Sequence, residues 1–338
     1  MPKSESKKDK PRRRRGNGEL SKARRKEKWV AKGGQQRLLE GIAEATEVKE
    51  LNNCPGQLDH VPTKGKKFRQ QVGKLSLEPT PSSGSSLTSA PADGIYFVTP
   101  SEQARKDMSP GHPGVFAIRC DNVITEDGQE AILRCWEEVK KSPIKWSQPH
   151  SNQSSTPGLH LNIWNMYSLI PHVTPNTLQQ DAQAKVAIQK FLEAINVHVA
   201  PMINRLLKFY FPEVSARQQR ARQKVSEDLI GTGDWIDFGG AFFTVAAKEG
   251  TASEIFHLDS SDDPDTITWT VPIGRWVGGD FSGPQLNTKI PVQSGQALGV
   301  TTRLLSDSPT LTNDGDYRLV LTLFSDKFLM KHADPTPQ

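Results

Sequence analysis

The chain has 338 residues, of which 35% are hydrophobic and 24% are charged. The hydrophobic fraction is low for a globular protein of this length, so a sizeable part of the chain is expected to stay outside a packed core. No run of eighteen or more apolar residues occurs, which excludes a membrane-spanning helix. Three cysteines without disulfide or zinc spacing, and no apolar signal segment at the start, favour an intracellular, reduced protein.

The positive charge is concentrated at the beginning of the chain. Residues 1–75 carry 21 Lys and Arg against 9 Asp and Glu, whereas the rest of the chain is mildly acidic. The clusters are Lys7-Lys8, Arg12-Arg13-Arg14-Arg15 and Arg24-Arg25-Lys26. Such runs bind polyanions by releasing condensed counterions, and they are typical of nuclear import signals. The sequence therefore predicts a nuclear protein that contacts DNA through its N-terminal tail, the alternative being a solvated tail that only aids solubility.

Residues 1–94 are predicted to be a basic, largely disordered tail and linker, and residues 95–338 a folded domain. A weak apolar stripe predicts a short helix between about Arg24 and Leu51. Residues 77–93 are rich in Ser and Pro and lack periodicity, which predicts a flexible linker that ends near Ile95.

Residues 95–230 are predicted to form a helical support layer. Short strands are expected at 95–98 and 115–118, and a helix from Glu130 to Lys141. A longer helix begins near Asn176 or Thr177 and runs to about Phe211, and Pro201 should kink or split it. Four cations follow as a second basic patch, which either contacts phosphate or is simply solvated: Arg217, Arg220, Arg222 and Lys224.

Residues 231–330 are rich in short β-strand patterns separated by Gly, Asp, Asn and Pro. Many short strands after a helical region predict an α+β protein with a jelly-roll core backed by helices. Within this part, His257 and Asp259 lie two residues apart. On an extended strand both side chains point to the same face, so both can bind one metal ion.

The order of motifs resembles the TET/JBP-like group of iron(II)/2-oxoglutarate-dependent dioxygenases found in fungi, whose core is a double-stranded β-helix. The matching residues are His257 and Asp259, then Gly278-Gly279-Asp280-Phe281, Ile290-Pro291 with Gly295, and Arg318. The resemblance covers roughly Trp235 to Phe328. It implies that His257 and Asp259 bind Fe(II) and that the Arg318 guanidinium holds a carboxylate of 2-oxoglutarate.

The sequence departs from this family at the distal iron ligand, where Asp307 stands in the place of a histidine. Either Asp307 is a carboxylate third ligand, or the fold has lost its metal and kept a binding role. A further alternative is that His257 and Asp259 form a hydrogen-bonded pair in a loop, and that Arg318 makes an ordinary salt bridge across the sheet.

Two functions follow from the resemblance. The first is a dioxygenase-like protein that acts on or binds nucleic acid and oxidises 5-methylpyrimidine bases. The alternative is a non-catalytic nuclear DNA-binding protein that uses the jelly roll as a scaffold.

Overall fold

The computed structural model describes residues 33, 36–51, 88–106, 108, 112–147, 157–164, 170–229, 234–250, 259, 261–283, 286, 288–302, 305, 308–309 and 317–333. The basic clusters of the tail, most of the predicted linker, His257 and Asp307 lie outside the described residues. Within the described part, no helix is long and apolar enough to cross a membrane.

The described residues form a mixed α+β protein. Residues 36–43 form helix α1. The other helices are α2 (Glu102–Arg105), α3 (Glu126–Lys141), α4 (Pro175–Leu178), α5 (Ala182–His198), α6 (Ala200–Tyr210), α7 (Pro212–Asp228) and α8 (Lys327–Ala333). The strands are β1 (Glu47–Leu51), β2 (Thr88–Ser89), β3 (Tyr96–Pro100), β4 (Ala117–Cys120), β5 (Gly158–Trp164), β6 (His172–Val173), β7 (Thr244–Glu249), β8 (Thr268–Arg275), β9 (Phe281–Gly283), β10 (Thr288–Ile290), β11 (Ala297–Val300), β12 (Ser308–Pro309) and β13 (Tyr317–Phe324).

Helix α3 begins four residues earlier than its apolar spacing predicts. The Thr125 hydroxyl accepts a hydrogen bond from the Gly128 backbone N–H, and so provides the N-terminal cap. The helix buries one face that includes Ile132, Trp136 and Val139. The predicted helix is therefore confirmed, and the cap accounts for its additional first turn.

The predicted long helix is divided, as Pro201 indicates. Helix α5 ends at His198 and α6 begins at Ala200, with Pro201 in its first turn, where proline has no hydrogen bond to lose. The start of α5 was predicted too early. Asp181, rather than Asn176 or Thr177, caps this helix by accepting a hydrogen bond from the Ala184 N–H.

The described strands belong to two sheets. The larger sheet has the order β1-β3-β4-β11-β8-β13-β7-β5-β6, and the smaller has the order β12-β9-β10-β2. Strand β13 pairs antiparallel with β7 on one side and with β8 on the other, so it lies in the middle of the larger sheet.

The two faces of the larger sheet pack differently. Leu319, Leu321 and Leu323 of β13 belong to the core cluster that also contains residues of α3, α5 and α6. The opposite face packs on the smaller sheet through a second apolar cluster, which includes Leu298 of β11 and Phe281 of β9. Because side chains alternate along a strand, Arg318 and Val320 lie on the face turned away from the helical layer.

Residues 47–51 form a strand where the sequence predicts the end of a helix. Strand β1 pairs in parallel with β3 along all five of its residues. The sequence places the start of the folded domain near Ile95, and β1 adds a strand from before that position to the same sheet. Leu38 of α1 is also buried in the helix-side cluster.

Candidate functional site

Arg318 is a buried cation in the middle of the larger sheet. The residue is 4% exposed, and its Nε and Nη1 atoms are buried without a hydrogen-bond partner. Within the described part of the chain, no carboxylate forms an ion pair with it, so the structure does not support an ordinary salt bridge across the sheet. A buried guanidinium without an acceptor is costly, which makes Arg318 a candidate for binding an anionic ligand.

Two neighbours shape the surroundings of the Arg318 guanidinium. Its central carbon lies 5.1 Å from the centre of the Trp276 ring, within the range of a cation–π contact. Burial lowers the pKa of Arg318 to about 10, and the Asp280 carboxylate opposes that shift by favouring the charged form. Arg318 is therefore still a cation at neutral pH, partly compensated at a distance by Asp280.

Glycines determine the backbone path next to Arg318. Gly274 is the cross-strand partner of Arg318 on β8, and it has a φ of 132°. A Cβ at this position would overlap the carbonyl oxygen of Tyr317, so only glycine fits there. Beyond β8, Gly278 and Gly279 have φ angles of 82° and 69°, and they turn the chain from the larger sheet into β9 of the smaller one.

Asp259, the predicted iron ligand that the structure describes, lies in a different part of the sheet. Its carbonyl accepts a hydrogen bond of 3.0 Å from the N–H of Asp262, and Asp262 forms a bridge with Asp326, beyond the end of β13. Arg318 precedes Asp326 by eight residues, roughly 26 Å along an extended strand. Asp259 and Arg318 are thus near opposite ends of β13 rather than side by side.

Asp262 is a buried carboxyl beside Asp259 that the sequence analysis did not single out. Its Oδ2 accepts hydrogen bonds from the hydroxyls of Thr268 at 2.5 Å and Thr302 at 2.6 Å. Burial raises the pKa of Asp262, and the neighbouring charge of Asp259 raises it further. The sequence contains no motif that distinguishes Asp262 from the adjacent aspartates, because its burial results from long-range packing.

The described residues test only part of the predicted metal site. Among them, no three His, Cys, Asp or Glu side chains come together as a metal site. His257 and Asp307 lie outside the described residues, so the set of His257, Asp259 and Asp307 stays a prediction. Arg318 is the predicted ligand-binding residue whose surroundings can be examined directly.

The second basic patch, on α7, is largely used for internal ion pairs. Arg217 donates two hydrogen bonds to the Asp263 carboxylate, which is 5% exposed. Arg222 pairs with Asp237 at 2.7 Å, and Lys224 with Asp228 at 2.8 Å. These contacts favour a structural role for the patch over the phosphate contact that the sequence left open.

Comparison with known proteins identifies the class of fold. No family model matches the chain, and no curated protein matches it by sequence. The similar solved structures include an oxidoreductase of the 2OG-Fe(II) oxygenase family from Burkholderia pseudomallei, at 10% identity over 62% of this chain and 84% of that one, with a TM-score of 0.34. They also include a collagen prolyl hydroxylase of Paramecium bursaria Chlorella virus-1 in complex with 2OG, at 11% identity over 62% and 94% of the two chains, with a TM-score of 0.31.

A TET protein gives a more extensive match. The structure of NgTET1 in complex with 5mC DNA aligns over 90% of this chain and 92% of its own, with a TM-score of 0.53 and 14% sequence identity. At this identity the match establishes a shared fold. The fold of the chain therefore agrees with the resemblance to this class that the sequence motifs indicated.

Proposed function

We propose that the chain is a TET/JBP-like, iron(II)- and 2-oxoglutarate-type dioxygenase-like protein that acts on or binds nucleic acid in the nucleus. The observation that carries this proposal is the buried, unpartnered guanidinium of Arg318 within a fold shared with NgTET1. In the proposed assignment, Arg318 holds a carboxylate of 2-oxoglutarate.

The surroundings of Arg318 fit this ligand. Nε and Nη1 have hydrogen-bonding capacity without an acceptor, and either atom together with Nη2 forms an edge from which a carboxylate can accept two parallel bonds. A carboxylate there would also supply the negative charge that Asp280 supplies only at a distance. The Trp276 ring lies over the guanidinium, and the burial of Arg318 strengthens a charged hydrogen bond there.

The strand order is compatible with a double-stranded β-helix. Strands β7, β13, β8 and β11 are consecutive neighbours in the larger sheet, and β12, β9 and β10 are neighbours in the smaller one. Along the chain, β7 and β8 lie in the larger sheet, β9 and β10 in the smaller, β11 in the larger, β12 in the smaller and β13 in the larger, so the chain passes repeatedly between the two sheets. The proposal extends the observed α+β fold to this architecture.

The proposal assigns iron(II) to His257, Asp259 and Asp307, an imidazole and carboxylate set that suits a divalent metal. One 2-oxoglutarate must reach both this metal and Arg318, so the proposal requires Asp259 to lie nearer to Arg318 when metal and cosubstrate are bound than it does in this structure. Leu305 is buried in the cluster between the sheets, and the register of β12 with β9 places Pro309 opposite Phe281 of that cluster. Asp307, which lies between these residues in the sequence, is outside the described residues, so its assignment as a ligand rests on the order of the motifs alone. Iron(II) with 2-oxoglutarate, when bound, supplies the oxidation of a carbon–hydrogen bond of the substrate.

The substrate class is proposed to be 5-methylpyrimidine bases in nucleic acid. NgTET1 was crystallised with 5mC DNA, and its fold aligns with most of this chain. A base must leave the duplex to reach an enclosed site, and the basic clusters of residues 1–32 would supply the affinity for the backbone. Binding to a DNA duplex is expected to weaken as salt is added and after deletion of residues 1–32, and an unchanged affinity after deletion would remove the role of the tail.

Metal content after purification tests the iron assignment. The wild-type chain is expected to retain more iron(II) or manganese(II) than the His257→Ala variant. Asp307→His, which provides the imidazole of the family pattern, is expected to retain more than the wild type. Equal and negligible metal in the wild type and in His257→Ala would refute the metalloenzyme.

Turnover separates the two candidate functions. Release of succinate from 2-oxoglutarate, with oxidised bases in a 5-methylcytosine duplex, is expected for an active dioxygenase. Duplex binding without succinate release would favour the non-catalytic DNA-binding protein, a function compatible with an aspartate at position 307.

A further inference from the structure

A groove lies between the N-terminal helix and α6, on a surface formed by different elements from those that surround Arg318. It is lined by Arg37 of α1 and by Pro201, Asn204, Arg205, Lys208 and Phe209 of α6, and its volume is about 620 Å³. The α6 residues recur every three or four positions, so they share one side of the helix. The opposite side of α6 buries Ile203 and Leu207 in the core.

The charge of this groove is positive. Helix α6 contains Arg205 and Lys208 and no Asp or Glu, and no acidic residue lines the groove. Both side chains are exposed, and neither forms a hydrogen bond or ion pair with another described residue. The two cations are therefore free to bind an anion, unlike the arginines of α7.

Arg37 has a structural contact as well as a position in the groove. Its Nε donates a hydrogen bond of 3.0 Å to the Phe209 carbonyl at the end of α6, and its Nη2 donates to the Lys208 carbonyl at 3.4 Å. These bonds satisfy carbonyls that the last turn of a helix leaves unpaired. Arg37 thereby fixes α1 against α6 and adds a third cation to the groove.

An aromatic ring stands next to these cations. Phe209 is 46% exposed, and its ring packs edge-on against Tyr210 with 4.8 Å between ring centres. The Arg37 guanidinium lies 5.7 Å from the centre of the Phe209 ring. An exposed aromatic ring beside unpaired cations is the combination by which proteins stack a base and bind the adjoining phosphates of a single strand.

The position of the groove along the chain favours the same kind of partner. Helix α1 follows directly after the basic clusters of residues 1–32. Arg37 is thus the continuation, on the folded part of the chain, of a segment rich in lysine and arginine. A polyanion bound to that segment would meet the groove next.

We propose that this groove binds single-stranded nucleic acid, with phosphates on Arg205 and Lys208 and a base on the Phe209 ring. The inference rests on the nucleic-acid part of the proposed function and adds a second contact surface to it. Its ligand chemistry is a phosphodiester chain with an accessible base, independent of iron and 2-oxoglutarate.

The test uses the full chain with two charge reversals, Arg205→Glu and Lys208→Glu. A control variant carries Arg134→Glu and Lys141→Glu, which change the net charge equally at two exposed positions of α3. Binding of a fluorescent oligothymidylate is followed by anisotropy over a range of salt concentrations. Loss of two phosphate contacts is expected to reduce the slope of log K against log salt by about 1.4, whereas the control keeps the wild-type slope.

A third variant tests the aromatic contact. Phe209→Ala is expected to weaken oligothymidylate binding several-fold with the salt slope unchanged, because stacking releases no counterions. Thermal unfolding of all variants distinguishes lost binding from lost structure.

Four results would overturn the proposed role of the groove. If the α3 control lost as much oligothymidylate binding as the double reversal, only the net charge would matter. If the double reversal bound oligothymidylate as the wild type does, the groove would not be a binding surface, although the nucleic-acid part of the proposed function would remain. If the double reversal lost binding to phosphatidylserine vesicles but kept binding to oligothymidylate, the groove would be assigned to contact with a membrane surface. Failure of the wild-type chain to bind any nucleic acid would remove both proposals.

Discussion

Replacement of Arg318 by methionine is expected to stabilise the cofactor-free protein while abolishing its response to 2-oxoglutarate. Burial lowers the pKa of this guanidinium from 12.5 to about 10. At roughly 1.4 kcal/mol for each pKa unit, burial disfavours the charged form of Arg318, relative to the neutral form, by about 3 kcal/mol more than water does. The contact with the Trp276 ring offsets part of that cost, by about 1–2 kcal/mol.

Methionine matches the length of the arginine stem and carries no charge to desolvate. The Arg318→Met variant is therefore expected to gain about 1–2 kcal/mol in the free energy of unfolding, which corresponds to a rise in Tm of a few degrees. In the wild type, 2-oxoglutarate at about 100 times its Kd should add about 2.7 kcal/mol. That ligand-dependent rise should be absent from Arg318→Met.

Arg119 provides the control, because it is also buried in the larger sheet, and although its Nε has no hydrogen-bond partner either, both of its terminal nitrogens have acceptors. Its Nη1 donates to the carbonyls of Pro91 and Pro291, and its Nη2 donates to the carbonyl of Gly94. Arg119→Met leaves these carbonyls unpaired and should cost at least about 2 kcal/mol. Urea denaturation of both variants measures the difference.

Two results would refute the reasoning. If Arg318→Met unfolded as readily as Arg119→Met, the guanidinium of Arg318 would have acceptors in the folded protein. If 2-oxoglutarate still raised the Tm of Arg318→Met, the cosubstrate would bind elsewhere.

Three further predictions concern other parts of the fold. Gly274→Ala is expected to lower the free energy of unfolding by at least about 2 kcal/mol, because the new Cβ overlaps the Tyr317 carbonyl at a positive φ; an unchanged urea midpoint would contradict this. Arg217→Ala leaves the buried Asp263 carboxylate without its cationic partner and should lower the free energy of unfolding by about 3 kcal/mol. A loss within about 0.5 kcal/mol, as for a surface substitution, would show that solvent compensates for the missing guanidinium. Burial lowers the pKa of His112 from 6.5 to about 4, so the unfolded chain binds the proton first, and the free energy of unfolding should fall as the pH drops from about 6.5 to about 4. The His112→Gln variant should show a smaller fall in the urea midpoint over this range, and a pH profile identical to that of the wild type would exclude a contribution from the histidine.

The strands that carry the candidate site could be predicted from the sequence, because their β-branched and aromatic residues follow a two-residue period. Strand β5 had the same signal in Leu159, Leu161 and Ile163, all buried on one face, although the sequence analysis gave it no strand. Strand β1 had no such signal. Its Glu, Lys and Leu residues favour a helix, and pairing with β3 overrides that preference.

The surroundings of Arg318 depend on information that local patterns do not contain. The motif order singled out the residue as a cosubstrate ligand. Its neighbours Gly274 and Trp276 are distant from it in sequence and meet Arg318 only when β8 and β13 pair. The depth of Asp262 likewise depends on Thr268 and Thr302, on separate segments.

The ends of strands β1 and β2 bring two separate parts of the first hundred residues together. The Lys49 ammonium donates a hydrogen bond of 3.1 Å to the Thr88 hydroxyl, so the chain leaves β1 and returns at β2 in nearly the same place. Strand β1 pairs with β3 and strand β2 with β10, on either side of residues 52–87, which lie outside the described residues. Because closing a loop costs little more as the loop grows, the pairing of β1 with β3 is expected to depend only weakly on the number of residues between β1 and β2.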